Sequence, residues 1–248
     1  MKHKTMTLLF FDPRANKTAT PGARPFPASG QFHPNRAAYE FYPTPPEATR
    51  ALLAHERFEG SVWEPACGQG HIAKVLQERG HEVTATDLVD YGFGQPGRDF
   101  LVEREPLARN IITNPPYGRG LADAFCKHAI ALTARTGGKV AMLVTVQSLC
   151  HPTRTPFFEQ HPPAMIYAVD DCTCYPYGDP RKATRSILQQ RYCWLVWHAG
   201  HNGPTLFKWL RTAPHKTPTK PMPRPALLQP VLLVEGQCRG MGEGGGVH

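Results

Sequence analysis

No stretch of this 248-residue chain comes near the roughly 20 consecutive apolar residues that span a bilayer. The apolar cluster near its start, Leu8-Leu9-Phe10-Phe11, is too short for the core of a secretion signal. These two absences lead us to expect no membrane partner and a soluble, cytoplasmic protein. Cys-x-x-Cys pairs are also missing. The seven cysteines are an odd number, scattered through predicted core and loop, which suits reduced thiols better than a disulfide framework. Cys172-x-Cys174, taken with Cys150 and His151, hints at zinc, but its spacing is not that of a standard zinc site, and no metal is expected.

Acidic residues are few. Asp and Glu number 20 against 28 Lys and Arg, a formal net charge of +8 that favours a polyanionic partner such as nucleic acid. Proline and glycine, by contrast, are abundant and crowd the two ends of the chain. Residues 1–36 lack apolar periodicity and carry Lys2, Lys4, Arg14, Lys17 and Arg24, so they read as a flexible basic arm. Residues 199–248 read as a Pro/Gly-rich tail with one short helix over 205–211. Between them, residues 37–198 alternate helical and extended patterns, which calls for one α/β domain with a largely parallel sheet covered on both faces.

Within that domain, Thr44 or Pro45 is well placed to start a helix over 48–55, with Glu47 favourable in its first turn. Strands are expected at 61–63, 82–86, 111–113, 139–147, 164–169 and 192–197, and further helices at 72–79 and 121–134. The last two strands have no clear helix between them, so the final one is expected to run antiparallel. Their connection, residues 170–190, mixes Tyr175 and Tyr177 with Arg181, Lys182 and Arg185 and reads as a long nucleic-acid contact loop.

Two known nucleotide signatures are incomplete. The turn Glu64-Pro65-Ala66-Cys67-Gly68-Gln69-Gly70 has Gly-x-Gly but not the third glycine of a pyrophosphate fingerprint, and no Walker lysine follows. Glycines there still permit tight turning and close approach of a ligand. Asp87, at the tip of the second strand and about 20 residues beyond the glycines, suits bidentate bonding to ribose hydroxyls, though it would equally cap a helix. Asp99 could accept from an adenine amino group and Phe100 pack on its ring; alternatively they are a loop end and a core residue.

Asn114-Pro115-Pro116-Tyr117-Gly118 follows the apolar run Ile111-Ile112-Thr113, which places it in the loop at a buried strand's carboxyl end. The amide oxygen of Asn114 and the carbonyl of Pro115 could grip the two hydrogens of a planar amine, whose lone pair is otherwise spread into its π-system. The prolines stiffen the loop and bias Asn114 toward extended backbone. Tyr117 offers a ring to a planar base, and Gly118 leaves room for it. An ordinary proline turn is the alternative.

In this order the pieces, over about residues 39–198, resemble the class I S-adenosylmethionine-dependent methyltransferases of the DNA adenine-N6 family, whose catalytic motif is Asn-Pro-Pro-Tyr. The resemblance implies a Rossmann-like α/β fold with a seven-stranded, mostly parallel sheet and an antiparallel last strand. It also implies S-adenosylmethionine as cofactor and DNA as partner, through a flipped or single-stranded adenine methylated at N6. By the same likeness Tyr42 and Thr44 belong to a segment lining the methionine end of the cofactor, and Glu64, Ala66, Gly68 and Gly70 to its glycine motif. Asp87 matches the ribose acid, Asp99 and Phe100 the adenine pair, and Asn114, Pro115, Pro116 and Tyr117 the catalytic loop. Methylation of RNA adenine or of a protein glutamine amide, and a noncatalytic nucleic-acid-binding role, are the alternatives. No target-recognition domain of normal size is visible, which leaves open how a sequence would be selected and whether the role is restriction, evasion or regulation.

Overall fold

The computed structural model describes residues 38–213. The expected basic arm over 1–36 and the tail beyond 213 lie outside them.

Pro46 opens helix α1 (Pro46–Leu53), its missing N–H falling where a helix has no use for one, and Glu47 sits favourably in the first turn. Ala48, Thr49, Ala51 and Leu52 form its buried face at helical spacing. Then come β1 (Val62–Glu64), α2 (His71–Glu78), β2 (Val83–Ala85) and β3 (Asn110–Thr113). Helix α3 (Leu121–Thr133) buries Ala122, Phe125, Cys126, Ala129 and Leu132. After it follow β4 (Lys139–Thr145), α4 (Thr155–Gln160), β5 (Met165–Val169), α5 (Arg185–Gln189), β6 (Tyr192–His198) and β7 (Leu206–Leu210).

The strands form one sheet in the order β2-β1-β3-β4-β6-β5-β7. β6 is antiparallel to both β4 and β5, and every other neighbouring pair is parallel. The sheet is thus Rossmann-like and seven-stranded as expected, with a single reversed strand; that strand is β6, and the last one, β7, runs parallel to β5. From β1 the chain first moves outward to β2 and then crosses back to β3, so the topological switch point lies between β1 and β3. Open α/β sheets bind ligands at the carboxyl ends of the strands at such a point.

Alternation along the strands divides the core in two. Leu52, Ile72 and Leu76 pack with Ile112, Leu143 and Trp194 on one face. Phe125 and Leu132 pack with Trp63, Ile111, Met142 and Leu195 on the other. The buried indoles find acceptors: Trp63 Nε1 donates to Thr86 Oγ1 at 2.9 Å and Trp194 Nε1 to Ala48 O at 3.1 Å. Glu56, buried, accepts from the Tyr167 hydroxyl at 2.9 Å and pairs with Lys139 Nζ, fastening the end of β4 to β5.

Residues 205–211 are not a helix. Leu206–Leu210 is a strand, paired in parallel with β5 from Met165↔Leu206 to Val169↔Leu210. Leu206 and Leu210 have helical spacing, which misled the sequence reading, but the segment is too short to stand as a helix and β5 offers it a free edge to pair with. The sheet therefore continues past His198, the expected end of the domain. The connection over 170–190 is likewise more ordered than a loop: it holds α5 and two short 3-10 turns, Pro176–Gly178 and Pro180–Lys182.

Candidate active site

The carboxyl ends of β1 and β2 are joined through hydrogen bonds. Glu64 ends β1, is 2 % exposed, and accepts from Ala73 N in the first turn of α2 at 2.7 Å. Gly68 and Gly70 turn the chain with φ of +52° and +78°, where a side chain would be strained, and Gly70 closes on Cys67 O at 2.7 Å. Asp87, just past β2, holds this turn from the other side: its Oδ2 accepts from Gly68 N at 2.8 Å and its Oδ1 from Val89 N at 2.9 Å. Asp87 therefore caps loops and not a helix. Ala66 is half-buried between Glu64 and the glycines.

The face of these glycines is covered by aromatic rings. A Cβ on Gly68 would stand 2.6 Å from Phe41 Cε2, and one on Gly70 would stand 2.5 Å from the Phe93 ring. Phe41 stacks on Tyr91 with ring centres 4.3 Å apart, and its carbonyl accepts from Tyr177 N at 3.1 Å. Tyr39 and Glu40, which lead into Phe41, both take positive φ, a costly conformation for residues with side chains. Neither Phe41 nor Phe93 was singled out from sequence. Thr44, in the same segment, is 3 % exposed and its Oγ1 has no hydrogen-bond partner among the described residues.

Burial drives the titration of both acids. It raises the Glu64 carboxyl well above its ordinary value, opposed by the Ala73 N–H and reinforced by the charge of Asp87. It raises Asp87 as well, against the pull of the backbone N–H groups of Val89 and Gly68. The folded chain thus holds these protons to higher pH than the unfolded chain does, and stability falls as pH rises from the ordinary carboxylate range through the shifted values. Differential scanning fluorimetry across this window should show the melting temperature declining with pH, and a smaller decline in Glu64→Gln. An unchanged slope in Glu64→Gln would remove Glu64 from this account.

Asn114 and Tyr117 stand at the carboxyl end of β3. Asn114 Nδ2 donates to Tyr42 O at 2.9 Å, which fixes the amide with Oδ1 turned to the Tyr117 hydroxyl. That hydroxyl is also 2.9 Å from Leu143 O. Burial pushes the Tyr117 phenol far above its ordinary pKa, so it stays neutral and acts as a donor. The Pro115 carbonyl accepts no hydrogen bond among the described residues. Cys174 lies behind the amide, its Sγ 3.9 Å from Asn114 Nδ2.

In front of Tyr117 opens a cavity of about 590 Å³. Tyr42 and Glu40 line it from the first segment, and Thr145, Gln147, Ser148, His151 and Arg154 from the chain after β4. Thr184, Arg185, Ile187, Gln190 and Tyr192 complete it from α5 and the start of β6. Arg154 is paired with Asp123 at 2.7 Å. Arg185 is exposed and makes no ion pair among the described residues. Arg181, expected in the contact loop, pairs with Asp179 at 3.0 Å, while Lys182 lies 4.3 Å over the Tyr177 ring.

Two expected site residues also have parts in the fold. Phe100 is 2 % exposed, wedged between Trp63 and Phe125 at 5.1 and 4.8 Å, so its ring has no face left for a ligand. Asp99 caps the turn Phe100–Val102, accepting from Leu101 N at 3.0 Å, and is half-buried. Among the described residues Cys172 and Cys174 are buried and Cys150 exposed, all as free thiols, and no cluster of three metal-ligating side chains is assembled.

No family model matches this chain, and no curated protein matches it. Solved structures do. A modification subunit ascribed to a type I restriction enzyme of Vibrio vulnificus is 16 % identical, with a TM-score of 0.43 over 68 % of this chain and 47 % of that one. A TehB-like S-adenosylmethionine-dependent methyltransferase of Corynebacterium glutamicum is 16 % identical, TM-score 0.39, over 62 % and 87 %. A Pyrococcus horikoshii protein ascribed to the RNA methyltransferases is 15 % identical, TM-score 0.44, over 63 % and 82 %. The chain spans about half the length of the first of these.

Proposed function

We propose that this chain transfers a methyl group from S-adenosylmethionine to the exocyclic N6 amine of adenine in DNA. One observation supports the reading: the Asn114–Tyr117 loop leaves β3 at the switch point, next to β1 and the Glu64 and glycine turn that follows it, and its last residue, Tyr117, lines a cavity with room for a base.

The residues of the turn fit the cofactor. Asp87 retains oxygen lone pairs beyond those taken by Gly68 N and Val89 N, enough to accept from two ribose hydroxyls. Glu64 is a buried acid whose ionised form would match a cationic amino-acid end, and the Thr44 hydroxyl is a polar group lacking a partner. The rings of Phe41 and Phe93 must move aside for a nucleoside to reach the glycines. When bound, S-adenosylmethionine supplies an electrophilic sulfonium methyl; its transfer leaves a thioether, and the amine gives up one proton to solvent.

The protein's part is to hold the amine. Asn114 Oδ1 and the Pro115 carbonyl are two acceptors for its two hydrogens, and Tyr42 O keeps the amide from turning its nitrogen toward the base. The neutral Tyr117 phenol is a poor base, so acceleration comes from positioning and from uncharged dipoles facing a cation that loses its charge. A paired adenine hides its amine and must be unstacked or met in single strands, at a cost of a few kcal/mol. Arg185, at the cavity and without an ion pair among the described residues, favours a polyanion over a protein glutamine.

The test is incubation of the purified protein with methyl-labelled S-adenosylmethionine and unmethylated DNA, RNA or protein, followed by digestion. Label is expected in N6-methyldeoxyadenosine. Label confined to RNA or protein would reassign the substrate, and no calorimetric binding of the cofactor would leave only a noncatalytic role.

A further inference from the structure

Strand β7 closes the sheet with side chains that an edge strand ordinarily avoids. Leu206 is 56 % exposed, Phe207 51 % and Trp209 72 %, and the outer edge of β7 has no partner strand among the described residues. Phe207 and Trp209, two residues apart, share a face, and their rings meet edge to face with centres 4.8 Å apart. Register puts them beside Ile166 and Ala168 of β5, which are half-buried. Only the last residue, Leu210, reaches the core. Burial therefore does not explain the two rings.

Their setting is basic. Arg211, exposed, follows the strand directly, while Lys208, between the rings in sequence, faces the other side of the sheet with its Nζ 3.0 Å from His55 Nδ1. Of the carboxylates after β5, Asp170 is engaged by Thr212 through both N and Oγ1, at 2.9 and 3.0 Å, and Asp171 is exposed. Exposed rings with a cation beside them are what single-strand binders use: rings stack on bases of any kind while the cation meets a phosphate. The rings also lie at a useful distance. β7 is three strands from β4, whose carboxyl end lines the cavity, a separation of roughly 14 Å at ordinary strand spacing.

We infer that the Phe207–Trp209 edge is a second nucleic-acid site that stacks unpaired bases flanking the target. The inference rests on the proposed nucleic-acid substrate but not on methyl transfer itself. It assigns affinity to this edge, without base-specific readout, because every base has a face to stack.

Trp209 makes the test direct. Trp63, Trp194 and Trp197 are buried, so of the four tryptophans it alone is open to quenchers. A 12-nucleotide oligothymidylate, which has no adenine for the cavity, should quench the intrinsic fluorescence of the full chain and shield Trp209 from acrylamide. By anisotropy of the labelled oligomer, Phe207→Ala/Trp209→Ala should bind about tenfold more weakly, and Trp209→Phe, which keeps a ring, should recover most of that loss. The double variant should raise KM for long DNA and leave kcat unchanged. Quenching without any methylation would sink the proposed activity and leave this site standing. Equal oligomer affinity in the double variant, Trp209 already closed to acrylamide in the free protein, or self-association that the double variant abolishes would each overturn it.

Discussion

Asn114→Ala is expected to lower the single-turnover rate of methyl transfer by about 10² to 10³-fold while S-adenosylmethionine still binds. The substitution removes two things together. It deletes Oδ1, one of the two acceptors proposed for the amine, and it deletes Nδ2, whose bond to Tyr42 O ties the loop to the segment before α1. It also leaves the Tyr117 hydroxyl with Leu143 O alone, so the phenol can settle toward the core. Asn114→Asp restores the oxygen but sets a carboxylate against the Tyr42 carbonyl, two acceptors facing one another, and it should recover only part of the rate. Rapid-quench turnover and calorimetry separate the two effects. An alanine variant within a few-fold of the parent rate would show that another residue holds the amine.

Asp87→Ala should weaken S-adenosylmethionine about a hundredfold and lower the melting temperature by about 5 °C. The ligand effect follows from the two charge-assisted hydrogen bonds to the ribose that the proposed function gives Asp87. The thermal effect arises in the free protein: Gly68 N and Val89 N lose the oxygens 2.8 and 2.9 Å away, and a buried N–H without an acceptor costs about 1–3 kcal/mol. Part of that cost is offset, because burial already disfavours the charge on Asp87 and that charge presses on Glu64. A net loss of about 2 kcal/mol corresponds to roughly 5 °C in a domain of this size. Asp87→Asn, able to accept at one N–H only, should fall between. Cofactor affinity unaltered in Asp87→Ala would place the ribose elsewhere.

Much of the architecture could be read before any coordinates. Ile111-Ile112-Thr113 is apolar without alternation, as a strand buried on both faces must be, and that fixed the carboxyl-end placement of Asn114. The glycine turn was legible because positive φ demands glycine, and Asp87 was legible as an acid at a strand tip, where the structure has it bonding Gly68 N and Val89 N. Depth was not legible at Phe100: an Asp-Phe pair reads the same whether the ring faces a ligand or, as here, Trp63 and Phe125. β7 was lost because five residues with two leucines four apart satisfy a helix and a strand equally, and only the vacant edge of β5 decides. The cavity residues Gln147, Ser148, His151 and Arg154 carried one weak signal, their position after the carboxyl end of β4. Glu40 and the covering Phe41 carried none, since their place depends on a chain reversal far from the motifs they meet.

Phe41 and Tyr42 are neighbours in the chain, yet one lies on Gly68 and the carbonyl of the other holds Asn114. A turn of the Phe41 ring about its own side-chain bonds would uncover the glycine and leave Tyr42 in place, whereas a backbone shift of Phe41 would carry through to Tyr42 and the carbonyl that sets the amide. Under the proposed function the second route links donor entry to acceptor alignment, and order of addition in the steady-state kinetics is where such a linkage would register.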